Sequence, residues 1–148
     1  MINKNLYSLS ILLMGITLIF LGARWMLVES PWMLDEVANV ERLKMEFNDL
    51  FEPEINNTLP GYLRQIYRFF GFWIIIIGLF LTIFTTPQIS KNRAIRIRIL
   101  SILGFMLLVG MILGYTLIPS SHFINLIWVM ILLYFVSVYA HFNRSNDE

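Results

Sequence analysis

Three arginines and one histidine are the residues of this chain best placed to do chemistry. Arg24, Arg64, Arg68 and His122 stand near the ends of long apolar runs, in the company of Trp25, Tyr62, Tyr67 and Tyr115. A guanidinium presents a planar fork of N–H donors that matches a phosphate or a carboxylate. The grouping is therefore a candidate anion site, suited to a lipid headgroup or another acidic ligand. Two further readings use the same residues. The arginines can pair with Glu29, Glu36 or Glu41 and tie a neighbouring segment down, or His122 and a carboxylate of raised pKa can run a hydrolytic or transfer reaction.

The wider search for reactive patterns is mostly exclusion. The chain holds no His-Glu-x-x-His, no Gly-x-Ser-x-Gly and no glycine-rich loop ending in Lys-Ser or Lys-Thr. With zero Cys there is no thiolate metal site and no cysteine nucleophile. His122 and His141 fall on one predicted helix, about 28 Å apart at 1.5 Å per residue, so a single chain cannot clamp a haem or a metal between them. No catalytic residue, metal or cofactor is expected, and the balance leans away from an enzyme. The formal net charge is +1, and no nucleic-acid partner is expected.

The elements that must hold the arginines are apolar. Hydrophobic residues make up 57% of the 148 and charged ones 14%, with a mean hydropathy of +0.69. Soluble domains run nearer 45–50% and about 25%. The excess is gathered in four blocks, Leu6–Ala23, Phe69–Thr86, Ile99–Ile118 and Phe123–Phe142, each near the roughly 20 residues needed to cross a bilayer. The expected fold is an all-α membrane protein, one domain over 1–148, with spans at about 6–28, 62–86, 97–118 and 122–142. The first block is longer than the 7–15 apolar residues of a signal peptide and is read as a retained helix. No span carries Asp, Glu, Lys or Arg at mid-depth, which argues against a pump or coupled transporter.

Between the first two blocks lies a segment that lipid would reject. Glu29–Pro60 holds eight carboxylates against two cations, Arg42 and Lys44. Ser30 suits an N-cap and Pro31 a first helical position, while Pro53 disfavours helix at Glu52. One amphipathic helix over 31–51 is expected, with Trp32, Met33, Val37, Val40, Leu43, Phe47, Leu50 and Phe51 on its apolar stripe. Helices that lie on anionic membrane are rich in Lys and Arg, and this one is not. Docking on the bundle or on a protein partner fits better.

Charge also sets orientation. Lys91, Arg93, Arg96 and Arg98 lie between the second and third blocks without an acid, and Lys4 and Arg144 fall on the same side. The positive-inside rule then puts both termini in the cytoplasm and the acidic helix outside the inner or plasma membrane.

Helix packing can be read from glycines. Gly15 and Gly22, and likewise Gly71 and Gly78, are seven residues apart and share a helix face. Gly110 and Gly114 form a G-x-x-x-G pair, a close-approach motif, for packing within the chain or for a homodimer. The functional expectation is a small non-enzymatic accessory or scaffold component of a membrane assembly. The alternative is a binder of a lipid or other amphiphilic anion at the outer face, and an outer-face enzyme comes third. Membrane lipids and a protein on the 31–51 helix are the expected partners.

Overall fold

The computed structural model describes residues 2–145, with side chains from 5 to 143. Lys4 and Arg144 therefore lie outside the described side chains, and 146–148 outside the described residues. Four long helices dominate: α1 (Ile2–Leu27), α4 (Leu59–Ile83), α6 (Arg93–Leu117) and α7 (Phe123–Ser145). Each is long and apolar enough to cross a membrane. The chain is a multi-pass, all-helical membrane protein.

Local chemistry explains where these helices start and stop. Pro60 stands in the first turn of α4, where a backbone N–H would have no partner within the helix, so its lack of one costs nothing. The helix gives way after Ile83, before the expected Thr86. There the hydroxyls of Thr82 and Thr85 bond back to the carbonyls of Leu79 and Thr82, at 2.7 and 2.6 Å, and such local bonds compete with the helical ladder. A short helical turn, α5 (Pro87–Ser90), follows. Asn92 then caps α6, its side-chain oxygen accepting the Ile95 N–H at 3.2 Å.

The long helices stand in the order α4, α1, α7, α6, with α1 packed between α4 and α7. The α1/α4 seam is antiparallel and built on glycine. A Cβ added at Gly15 would stand 2.8 Å from the Gly78 carbonyl oxygen, and one at Gly78 would stand 2.6 Å from that of Gly15. Gly22 and Gly71 repeat the arrangement one heptad along. Lipid tails are as apolar as leucine, so burying hydrocarbon drives little association here, and close backbone approach supplies the contact instead. The main apolar cluster joins Tyr7, Ile11 and Met14 of α1 to Leu81, Leu100, Leu103, Met130 and Ala140. It lies toward the end of the bundle that carries the termini. Outward-facing Phe20, Phe105 and Phe135 remain well exposed, as a lipid-facing surface requires.

The 31–51 segment departs from the expected single helix. A 3₁₀ turn (Pro31–Asp35) leads into α2 (Glu36–Leu43), and a break at Lys44–Glu46 separates it from α3 (Phe47–Phe51). A second 3₁₀ turn (Glu54–Asn56) completes this cap. Lys44 takes a left-handed conformation, φ 55°, and its N–H bonds to the Val40 carbonyl at 2.8 Å, which ends α2 as a left-handed cap does. The reason lies in the aromatics. Trp32 and Phe51 have ring centroids 5.5 Å apart, and Phe47 lies 6.2 Å from Trp32 and 5.7 Å from Phe51. A continuous helix would separate Trp32 from Phe51 by about 28 Å. The chain folds back to gather them.

The buried face of the cap differs accordingly. Pro31, Trp32, Asp35, Ala38 and Phe47 are buried. Val37, expected on the apolar stripe, is 70% exposed, and Met33 and Leu43 are exposed as well.

Candidate functional site

Asp35 is the residue on which the cap is fastened. Only 8% exposed, its Oδ2 accepts a hydrogen bond of 2.5 Å from the Ser121 hydroxyl, in the turn between α6 and α7. Ser121 Oγ in turn accepts the Phe123 N–H at 3.1 Å, so one hydroxyl caps the start of α7 and holds Asp35. A carboxylate at a helix N-terminus is favoured by the helix dipole. His122 Nδ1 lies 3.1 Å from Asp35 Oδ1, within ion-pair range but out of line for a hydrogen bond. Its ring is 56% exposed. Beside this clasp, the Asn39 amide donates to the Trp32 carbonyl at 2.7 Å and to the Tyr67 hydroxyl at 3.3 Å, linking the cap to α4. Trp25 packs edge-on against both Tyr67 and Phe123, with centroids at 6.1 and 5.5 Å.

The three arginines part company. Arg64 Nε donates to the Glu29 carbonyl at 2.8 Å, and its Nη2 sits 3.9 Å from the Glu29 carboxylate. Both side chains are open to solvent, which makes the ionic part a weak surface contact. Arg24 and Arg68 are exposed, and neither pairs with a carboxylate among the described residues. Counting outward from the Gly22/Gly71 contact, Arg24 and Arg68 stand within about 1.5 Å of the same height. His122 belongs to the Asp35 clasp instead. Of the acids expected to meet these arginines, Glu29 does so, while Glu36 and Glu41 are exposed and unpaired among the described residues.

A second polar cluster occupies the opposite end, where only loop cations were expected. Arg96 is fully buried. Its Nε donates to His141 Nδ1 at 3.1 Å, and its Nη1 to the carbonyls of Ser90 and Lys91 at 3.1 and 2.9 Å. The guanidinium thereby caps the end of α5 and ties the start of α6 to the end of α7. Tyr7, near the start of α1, is fully buried as well. Lys91, Arg93 and Arg98 point outward.

Among the helix glycines, Gly15, Gly22, Gly71 and Gly78 form the α1/α4 seam described above. Gly114 makes ordinary contact with Ile124 and Ile127 of α7. Gly110 faces open space, with nothing within 4 Å of where a Cβ would stand. Of the two readings of this pair, packing within the chain and a homodimer face, contact within the chain is made at Gly114 and not at Gly110.

Two cavities open on the cap. One of about 170 Å³ lies between α2 and the end of α6, lined by residues that include Glu41, Lys44 and Pro119. The other, about 290 Å³, is lined by Trp32, Phe47 and Phe51 together with Glu36, Glu46 and Asn48 among others. Neither is lined by Arg24, Arg64, Arg68 or His122. Among the described residues no three of His, Cys, Asp or Glu come together to hold a metal.

Comparison with protein-family models, with curated proteins and with solved structures gives no match.

Proposed function

We propose that this protein is a non-enzymatic accessory or scaffold subunit of a larger membrane assembly, which it engages through its cap. The carrying observation is an excess of acids on that surface, six exposed carboxylates against the two exposed cations Arg42 and Lys44. Glu36, Glu41, Glu46, Asp49, Glu52 and Glu54 are all exposed and form no ion pair among the described residues. Apolar Val37, Leu43, Met45 and Ile55 are exposed among them. Like charges gathered on a compact cap repel one another, and a basic partner relieves that repulsion while covering the apolar groups.

The orientation that goes with this reading is a cap outside the inner or plasma membrane, with both termini in the cytoplasm. Exposed Lys91, Arg93 and Arg98 at the opposite end support it. Extraction in a mild detergent should bring a stoichiometric partner with the protein, and Glu41→Lys with Glu52→Lys should release it. A clean monomer from the wild type would defeat the proposal. Impermeant thiol labelling of Asp49→Cys and Lys91→Cys should mark opposite sides, and labelling of both from one side would overturn the orientation.

A second reading rests on Arg24 and Arg68. Level with each other and lacking carboxylate partners, they suit the phosphate of a lipid headgroup. Native mass spectrometry should then find an acidic lipid that Arg24→Ala with Arg68→Ala removes. A wild type free of lipid would end this reading.

A further inference from the structure

The cavity beneath the fold-back of the cap has a composition that calls for a cation. Trp32 and Phe47, both nearly buried, and half-buried Phe51 provide aromatic walls, while exposed Glu36, Glu46 and Asn48 stand at its edge. An aromatic face attracts a positive charge within about 6 Å of the ring centroid. Two carboxylates on the same cavity add to that field, and no cation of the described residues neutralises either of them. An anion would meet repulsion here.

Size narrows the ligand. At about 290 Å³ the space is at the lower bound of small-molecule pockets, which run from roughly 300 to 1,000 Å³. It suits a single extended side chain. A long, unbranched alkyl stem ending in a cation buries its methylenes against rings and leaves its charge at the mouth. We infer that this cavity receives a lysine or arginine side chain of a partner protein, the stem against Trp32, Phe47 and Phe51 and the charge between Glu36 and Glu46. The inference rests on the accessory-subunit reading and names the chemistry of its contact. The cavity's own lining, with two carboxylates and no Lys or Arg, supplies the complementarity, and the break at Lys44 supplies the cavity, since only the fold-back brings Phe47 and Phe51 to Trp32.

The test uses the full chain in maltoside micelles, free of headgroup amines, with all four tryptophans replaced by 5-fluorotryptophan. The Trp32 fluorine resonance is assigned by Trp32→Phe. The probes are the acetylated, amidated forms of arginine and lysine, with the citrulline derivative as neutral isostere and choline as a free quaternary ammonium. Arginine and lysine derivatives should shift the Trp32 signal saturably in the millimolar range, and citrulline should not. Glu36→Gln with Glu46→Gln should weaken binding at least about fivefold, and Glu52→Gln with Glu54→Gln should leave it unchanged.

The inference is overturned by any of four results in the wild type or the control pair: no saturable shift, an equal shift with citrulline, tighter binding of choline, or an equal loss in Glu52→Gln with Glu54→Gln. These wild-type arms decide the matter even should the Glu36/Glu46 variant fold poorly. Loss of the cavity response alongside a partner still released by Glu41→Lys with Glu52→Lys would sink the cavity and leave the accessory role standing. A clean wild-type monomer would sink the role itself.

Discussion

Gly22 and Gly71 each occupy the space where the other's side chain would be. A Cβ on Gly71 would stand 2.6 Å from the Gly22 carbonyl oxygen, and a Cβ on Gly22 would meet the Gly71 carbonyl in return. Gly15 and Gly78 do the same a heptad away. Backbones this close bring Cα–H groups onto carbonyl oxygens, a contact that recurs at helix–helix interfaces.

Gly22→Leu or Gly71→Leu should therefore push α1 from α4 and destabilise the bundle by about 1–3 kcal/mol or more, the usual cost of overpacking. Gly61→Ala and Gly110→Ala, at positions with open space, should stay within about 0.5 kcal/mol, the range of changes that touch nothing. Unfolding of each variant in mixed micelles under rising denaturing detergent measures the difference.

Asp35→Ala should free the cap and leave the bundle intact. It removes the acceptor of the Ser121 hydroxyl, and a hydrogen bond to a charged group is worth about 1.5–3 kcal/mol. Amide exchange over residues 31–58 should rise by roughly one to two orders of magnitude, while exchange in α1 and α4 stays fixed. Ser121→Ala should act in the same direction. It also loses the cap on the Phe123 N–H, so the first turn of α7 should exchange faster too.

Arg96→Ala should cost more than any exposed cation. It removes the donor of three hydrogen bonds around a buried guanidinium, and a hydrogen bond made by a charged group contributes about 1.5–3 kcal/mol. Arg96→Lys should rescue only in part, because a point-like ammonium cannot span the same acceptors as a planar fork. Arg98→Ala, at an exposed position, should be close to neutral. Thermal unfolding of the three variants orders them.

Lys44→Gly should stabilise the cap by up to about 1 kcal/mol, since glycine takes a positive φ without the Cβ penalty that lysine meets. Lys44→Val should do the opposite, a β-branched residue being the worst tenant of that conformation. Protease resistance of residues 31–58 reports both.

Much of the frame was readable from the chain. Four runs of lipid-compatible length sit where the long helices are, and the seven-residue spacing of Gly15/Gly22 and Gly71/Gly78 matches the faces that meet. The fold-back was not readable. Val40-Glu41-Arg42-Leu43-Lys44-Met45-Glu46 contains no glycine or proline, and local propensity favours continuing the helix through it. Contacts between Trp32 and the two phenylalanines override that preference, and such contacts lie outside any helical wheel. Asp35 was hidden for a related reason, a charged residue being the last assigned to a buried face. Arg96 did leave a signal. With Ile99, Leu100 and Leu103, all buried, it falls on one face of α6 by helical spacing, whereas counting cations by loop treats it like Arg93 and Arg98.

The placement of α1 between α4 and α7 bears on biogenesis. As the earliest of the four to leave the ribosome, α1 enters the bilayer with both flanks bare. The glycine groove on one flank stays empty until α4 is made, and the other flank until α7 arrives. For most of translation, then, the centrepiece of the fold is a lone helix whose notched surface fits nothing around it. This order of helices in the membrane favours holding α1 apart from lipid until its neighbours emerge.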